Sequence, residues 1–343
     1  MKKSTILTYI AMIIFAACAT VPDPLPSGGG GVVDPGAGGG GGASDTEPYP
    51  VVNPTVGTLG VYPAPVEATE VPEAYPAPEC TTAEAATPQP QTFTAADTTV
   101  LAGTFYPSRN CSAPVVILFH QAGGSKADWD ELALWLQNRP DEIGMLPRGM
   151  MASPLGKLVE FFPAMPDDLS FAVFAIDFRG HGESAGDSAF DPAGFLQDAQ
   201  AALLHAKTLP NVDPNRIITI GASLGADASV DACVTLDGII LAPTQASQGC
   251  VGALALSPGD FLGVSYTAAA ATLGIDPHAA TVHCIASEDD ANAPDLCGAT
   301  IGAHHTKTIY PGGAHGIALL DPELVPNIGE VILDFLLTSL DLK

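Results

Sequence analysis

Three residue types, met in one order along the chain, define a single chemistry. Ser223 lies in Gly221-Ala222-Ser223-Leu224-Gly225, His315 lies in Tyr310-Pro311-Gly312-Gly313-Ala314-His315-Gly316, and between them runs the acidic triplet Glu288-Asp289-Asp290. A serine hydroxyl is a poor nucleophile until a histidine takes its proton. That histidine needs a carboxylate to fix its tautomer and to stabilise the imidazolium that forms. The expected catalytic set is therefore Ser223, one carboxylate from 288–290, and His315. The expected reaction is acyl transfer through a covalent serine intermediate, which calls for no cofactor.

The serine signal has meaning because of what flanks it. Arg216-Ile217-Ile218-Thr219-Ile220 is a short β-branched run that reads as a buried strand, and the stretch from Ala226 to Val234 reads as a helix. A sharp strand-to-helix turn strains its serine and lifts the hydroxyl above the sheet edge, while flanking glycines remove Cβ atoms that would clash. Gly182-Glu183-Ser184-Ala185-Gly186 matches the same pattern without that context. Arg179-Gly180-His181 separates it from its strand, and Gly186-Asp187-Ser188 is turn chemistry, so it is predicted to be a loop.

Periodicity then supplies the elements that would carry these residues. An opening hairpin is predicted over 91–95 and 99–106, strands over 115–119, 171–176, 251–256, 281–286 and 306–310, and helices over 129–137, 191–209 and 294–303. A last helix is expected to start at Asp321-Pro322, with Val325, Ile328, Val331, Ile332, Phe335 and Leu336 recurring on one face. Strands alternating with helices predict an α/β protein with a mainly parallel sheet and helices on both faces.

Serine, acid and histidine, each at the C-terminal end of a strand, follow the chain order of α/β-hydrolases. From about residue 92 onward the chain resembles an α/β-hydrolase of the dienelactone hydrolase-like, serine esterase kind. Besides Gly221-Ala222-Ser223-Leu224-Gly225, the resemblance rests on His120-Gln121-Ala122-Gly123-Gly124 after the first parallel strand and on Asp177-Phe178-Arg179-Gly180-His181-Gly182-Glu183-Ser184 after the next. It implies a carboxylic ester substrate, and oxyanion donors at the backbone N–H groups of Leu224 and of Ala122 or Gln121. The second position of the oxyanion loop departs from the family's glycine, being Gln121. His120 and His181 fall in the family's structural loops and are expected to hold loop hydrogen bonds. For the acid two registers compete: a G-x-x-D pattern with Ala286 in the glycine place selects Asp289, and the family's D-x-x-x-P spacing selects Asp290 through Pro294. Asp290 is the expected choice. A peptidase or thioesterase would use the same machinery, and a non-catalytic surface module would keep only the fold.

The remaining features concern address and scaffold. Residues 1–17 hold two lysines and an apolar run from Ile6 to Ala17, too short for a comfortable membrane span, and read as an export signal. Phe15-Ala16-Ala17-Cys18 resembles a bacterial lipoprotein processing site, which would make Cys18 a lipidated first residue and place the protein outside the cytoplasm on a membrane; an ordinary secreted protein is the alternative. Residues 18–90, with Gly runs at 28–31 and 38–42 and then Pro-rich pieces, read as a tether, and 91–343 as one hydrolase domain. Residues 138–168, rich in methionine, form an extra stretch that is a possible lid. The net charge of −26 falls to −28 without Lys2 and Lys3, which makes nucleic acid and anionic lipid surfaces poor partners. Past Cys18 six cysteines remain, an even number that reads as disulfides in an exported chain; Cys233 with Cys250 and Cys284 with Cys297 are the expected pairs, then Cys80 with Cys111. Their spacing fits no zinc site, so no metal is expected, and the protein is expected to act as a monomer on a small-molecule ester.

Overall fold

The computed structural model describes residues 87–139, 161–187, 189–236, 239–240, 248–275 and 280–343. The expected signal, nearly all of the expected tether and most of the possible lid lie outside them. An eight-stranded sheet forms the centre. Its strands are β1 (Gln89–Thr94), β2 (Val100–Tyr106), β3 (Ala113–Phe119), β4 (Ala172–Ile176), β5 (Val212–Ala222), β6 (Cys250–Leu256), β7 (Thr281–Ser287) and β8 (His305–Tyr310). The spatial order is β1-β2-β4-β3-β5-β6-β7-β8. The β1–β2 and β2–β4 pairs are antiparallel and the others parallel, with β3 flanked by β4 and β5. Residues 113–119 and 172–176 are buried throughout, as strands covered on both faces must be.

Helices α1 (Asp130–Gln137), α2 (Pro192–Ala206), α3 (Leu224–Val234), α4 (Tyr266–Leu273), α5 (Ala293–Ala299) and α6 (Ile328–Ser339) cover the two faces. On one side Phe195, Leu203, Val230 and Leu273 pack with Ile117, Phe174 and Val282; on the other Trp129, Leu132, Ile332 and Phe335 pack with Val116, Val173 and Ile220. Phe162 and Met165, the end of the stretch read as a possible lid, are buried in the second of these clusters. Among the described residues no helix is long and apolar enough to cross a membrane.

Three helices depart from the expected bounds: α2 ends at Ala206 and not at 209, α5 ends at Ala299 and not at 303, and α6 starts late. The last helix starts at Ile328, where the Asn327 side chain accepts from the N–H groups of Gly329 and Glu330, and not at Asp321-Pro322. Asp191-Pro192 does start α2, with the Asp191 carboxylate capping Gly194 N–H at 3.1 Å. The difference is Pro326: a helix running through it would lose a backbone donor and clash with the preceding turn. The Ala-rich run 266–273, which lacks a clear apolar stripe, forms α4.

Two disulfides close on this frame. Cys233 at the end of α3 bonds Cys250 at the start of β6, and Cys284 in β7 bonds Cys297 in α5. Cys111 is also disulfide-bonded, and its expected partner Cys80 lies outside the described residues. Such bonds persist in oxidising, extracytoplasmic compartments.

Candidate active site

The β5–α3 turn brings backbone against backbone. A Cβ on Gly221 would stand 1.8 Å from the carbonyl oxygen of Gly225, and a Cβ on Gly225 would stand 2.1 Å from that of Phe119, so neither position admits a side chain. Between them Ser223 adopts φ +53° and ψ −117°, a conformation that non-glycine residues take only where the surroundings enforce it. Its N–H donates to Leu256 O on the neighbouring strand at 2.8 Å, and its own carbonyl accepts from Ala226 N–H at 2.8 Å. The hydroxyl therefore stands on a fixed base at the C-terminal edge of the sheet.

His315 follows β8 and Asp290 follows β7, so two adjacent parallel strands deliver them side by side. The loops are laced together: Glu288 N–H donates to Tyr310 O at 2.8 Å, and Asp289 N–H to Gly312 O at 2.9 Å. Within the acidic triplet Glu288 and Asp289 are exposed while Asp290 is buried. His315 Nδ1 lies 2.7 Å from Asp290 Oδ1, and its Nε2 lies 2.8 Å from Ser223 Oγ. With Asp290 accepting from Nδ1–H, Nε2 is left as the acceptor for the serine proton. The structure thus brings together Ser223, Asp290 and His315, and leaves Asp289 exposed, with the imidazole bonded to Asp290.

The loop expected to supply the oxyanion donors follows β3 and is held by histidines. His120 is buried; its Nδ1 donates to Gln121 O at 2.7 Å and its Nε2 accepts from Phe178 N–H at 3.0 Å, while burial pushes its pKa down to about 4. His181 Nε2 accepts from Gly123 N–H at 3.2 Å. Both rings hold loops. The N–H groups of Gln121, Ala122 and Leu224, the expected oxyanion donors, have no backbone acceptor among the described residues. Ser184 is elsewhere: its Oγ donates to Asp177 O at 2.6 Å and accepts from Ala102 N–H at 2.8 Å, and no imidazole is bonded to that hydroxyl.

Two side chains at the site make bonds that no motif foretold. Ser257, at the end of β6, accepts at Oγ from Gly316 N–H at 2.9 Å; Gln121 accepts at Oε1 from Ile317 N–H at 3.0 Å. Both grip the residues directly after His315. No local pattern marks Ser257, because its role arises only when β6 and β8 are placed two strands apart.

Behind the nucleophile, α3 carries buried carboxylates. Asp227 accepts from the N–H groups of Gly259 and Phe261, yet burial pushes its carboxyl up to about 7. Asp231, one turn on, is fully buried with both oxygens unpartnered, and burial raises it well above the usual carboxylate range.

Comparison with known proteins places this geometry in a wider setting. No family model matches the chain. "Uncharacterized protein YfhR" of Salmonella typhi is 29% identical over 151 residues, covering 42% of this chain and 40% of that protein. Its namesake in Escherichia coli is 29% identical over 144 residues, covering 40% and 39%. The chain therefore spans about two fifths of the length of the curated relatives it matches. Among solved structures, the α/β hydrolase GrgF from Penicillium sp. superposes with a TM-score of 0.53 at 14% identity, over 74% of this chain and 99% of that one. A dienelactone hydrolase from Anabaena variabilis gives a TM-score of 0.48 at 12% identity, over 74% and 99%. The mostly parallel eight-stranded sheet, its flanking helices and the GrgF superposition establish the α/β-hydrolase fold.

Proposed function

We propose that this α/β-hydrolase-fold chain is a serine hydrolase that cleaves small-molecule carboxylic esters through an acyl-Ser223 intermediate, without cofactor. The observation that carries the reading is the unbroken line of hydrogen bonds from Ser223 Oγ through His315 to Asp290, at 2.8 and 2.7 Å. Ser223 Oγ attacks the ester carbonyl carbon while His315 Nε2 takes its proton. Asp290 stabilises the imidazolium, and the N–H groups of Leu224 and of Ala122 or Gln121 face the oxyanion, each such donor being worth roughly 3 kcal/mol of barrier. Collapse breaks the carbonyl carbon–alkoxy oxygen bond, and the alcohol leaves with the proton held by His315. Water, deprotonated by the same nitrogen, then cleaves the acyl-serine and restores the hydroxyl.

The choice of ester follows the resemblance to dienelactone hydrolase-like enzymes. The export signal and the Cys18 processing site favour a lipid-anchored position outside the cytoplasm, and the disulfides fit that compartment. The test is hydrolysis of p-nitrophenyl esters of graded chain length. Ser223→Ala is expected to lose on the order of 10⁶ in turnover with its melting temperature retained. Ser184→Ala is expected to keep most activity. Equal losses from the two variants would refute the assignment.

A further inference from the structure

Gln121 stands where the resembling family has glycine, and its side chain spans the site. Its backbone belongs to the oxyanion loop and is fixed: its carbonyl accepts from His120 Nδ1–H at 2.7 Å and from Gly124 N–H at 3.0 Å. From that fixed point Oε1 reaches the opposite wall and accepts from Ile317 N–H at 3.0 Å, two residues beyond His315. Gly316 makes the approach possible. It sits at φ +57°, and a Cβ there would lie 2.3 Å from Gln121 Oε1. The N–H groups of residues 316 and 317 are thus each held by one side-chain oxygen, Ser257 Oγ and Gln121 Oε1, coming from two different strand ends.

We propose that Gln121 is a positioning residue that fastens the His315 loop to the oxyanion loop, so that one side chain sets the base and the oxyanion donors relative to each other. The proposal rests on the reading of Ser223 and His315 as nucleophile and base. Among the described residues the other hydrogen bonds that hold the His315 loop come from Ser223, Ser257, Asp289 and Asp290, at the ends of β5, β6 and β7, and the Gln121 bond is the one that reaches it from the end of β3. Displacement of reacting groups by about 1 Å costs on the order of 10²-fold in rate. Ground-state binding does not pass through this bond, so the loss falls on turnover.

Three variants of the full chain test this, measured on p-nitrophenyl acetate across pH. Gln121→Met keeps the length and removes the strong acceptor; kcat is expected to fall about 10- to 100-fold with KM within about two-fold of the parent. Gln121→Glu keeps an acceptor oxygen at the same reach and adds a negative charge beside the His315 loop, where the parent's own charged contact to the imidazole is Asp290. It is expected to recover most of kcat and to move the acidic limb of the kcat/KM profile upward, because a nearby anion favours the imidazolium. A merely structural glutamine would lower the melting temperature of both variants and give no selective fall in kcat for Gln121→Met that Gln121→Glu recovers. A Gln121→Met enzyme with kcat within two-fold of the parent overturns the proposal, as does a Gln121→Glu enzyme that recovers none of the kcat lost in Gln121→Met. Ser223→Ala separates the two levels: if that variant still turns over, the reading of the site fails; if it is dead while Gln121→Met matches the parent, the positioning role alone fails.

Discussion

Exchanging Asp290 for Asn probes the site at its most informative bond. The carboxylate Oδ1 lies 2.7 Å from His315 Nδ1, and Asp290 is only 5% exposed while the His315 side chain is 45% exposed. Taking the charge centres as about 4 Å apart, a unit pair is worth about 4 kcal/mol at an effective dielectric of 20 and about 1 kcal/mol in bulk water. The half-exposed imidazole pulls the value below the upper figure. Loss of the charge alone therefore predicts a fall of up to about 10³ in turnover, at about 1.4 kcal/mol per decade. The tautomer adds to it. An Asn that presents its NH₂ to Nδ1 forces the ring proton onto Nε2, aims a donor at Ser223 Oγ, and leaves nothing to accept the serine proton. Acid-to-amide changes in triads that combine both effects cost roughly 10⁴.

Asp290→Asn is accordingly expected to reduce kcat by about 10³ to 10⁴ on p-nitrophenyl acetate, with little loss of melting temperature, since Oδ2 has no hydrogen-bond partner to forfeit. Asp289→Asn should change kcat by less than about three-fold. Its side chain is exposed, and its contribution to the loop is the backbone N–H to Gly312 O, which Asn retains. The reverse ranking would refute the assignment of the acid and move it one residue back. Near-equal activity of both variants would refute the need for any acid at this turn.

Two further outcomes are expected. Asp231→Asn should raise the melting temperature more at pH 8 than at pH 5. The raised carboxyl, facing Asp227, Asp260 and Tyr266, favours the folded state fully below the unfolded carboxylate value and loses that contribution as pH rises through the folded value, so removing the charge relieves a cost that grows with pH. Each kcal/mol relieved corresponds to roughly 2–4 °C, and equal shifts at the two pH values by scanning calorimetry would refute this. Cys18→Ser should move the protein from the membrane fraction to the soluble one on ultracentrifugation, because two acyl chains suffice for stable anchoring; unchanged partitioning would refute lipidation at Cys18.

What could be read from the chain alone divides along a physical line. The Ser223 turn was legible because everything that makes it, a β-branched run, two glycines and a helix, lies within about twenty residues of sequence. The acid was legible as a choice between Asp289 and Asp290, with Asp290 favoured only by its spacing to Pro294. Residues 288–290 share charge and context, and which of them faces inward is decided by a turn in which Asp290 N–H donates to Ser287 O and Ala291 takes φ +40°. The start of the last helix misled because Asp321-Pro322 copies the Asp191-Pro192 signal, and the veto comes from Pro326 further along. Ser257 carried no signal at all, and Gln121 was marked only as a departure from the family's glycine and a candidate backbone donor; the bonds their side chains make link residues 59 and 196 positions apart.

Those long bonds bear on how the site is kept precise. Every functional side chain sits in a loop past a strand end, the part of such a fold with the fewest packing partners, and each loop is tied by something other than apolar contact. Backbone-to-backbone approach at Gly221 and Gly225 holds the serine turn. The Cys284–Cys297 bond, 13 residues apart, straddles the acid turn, and closing a loop of that size removes about 3 kcal/mol of chain entropy from the unfolded state. Ser257 and Gln121 hold the histidine loop. Of these ties the disulfide acts on global stability through the unfolded state. Reducing the disulfides should therefore lower the melting temperature and the activity together, whereas cutting the Gln121 bond should separate them, leaving a well-folded protein whose base is misplaced.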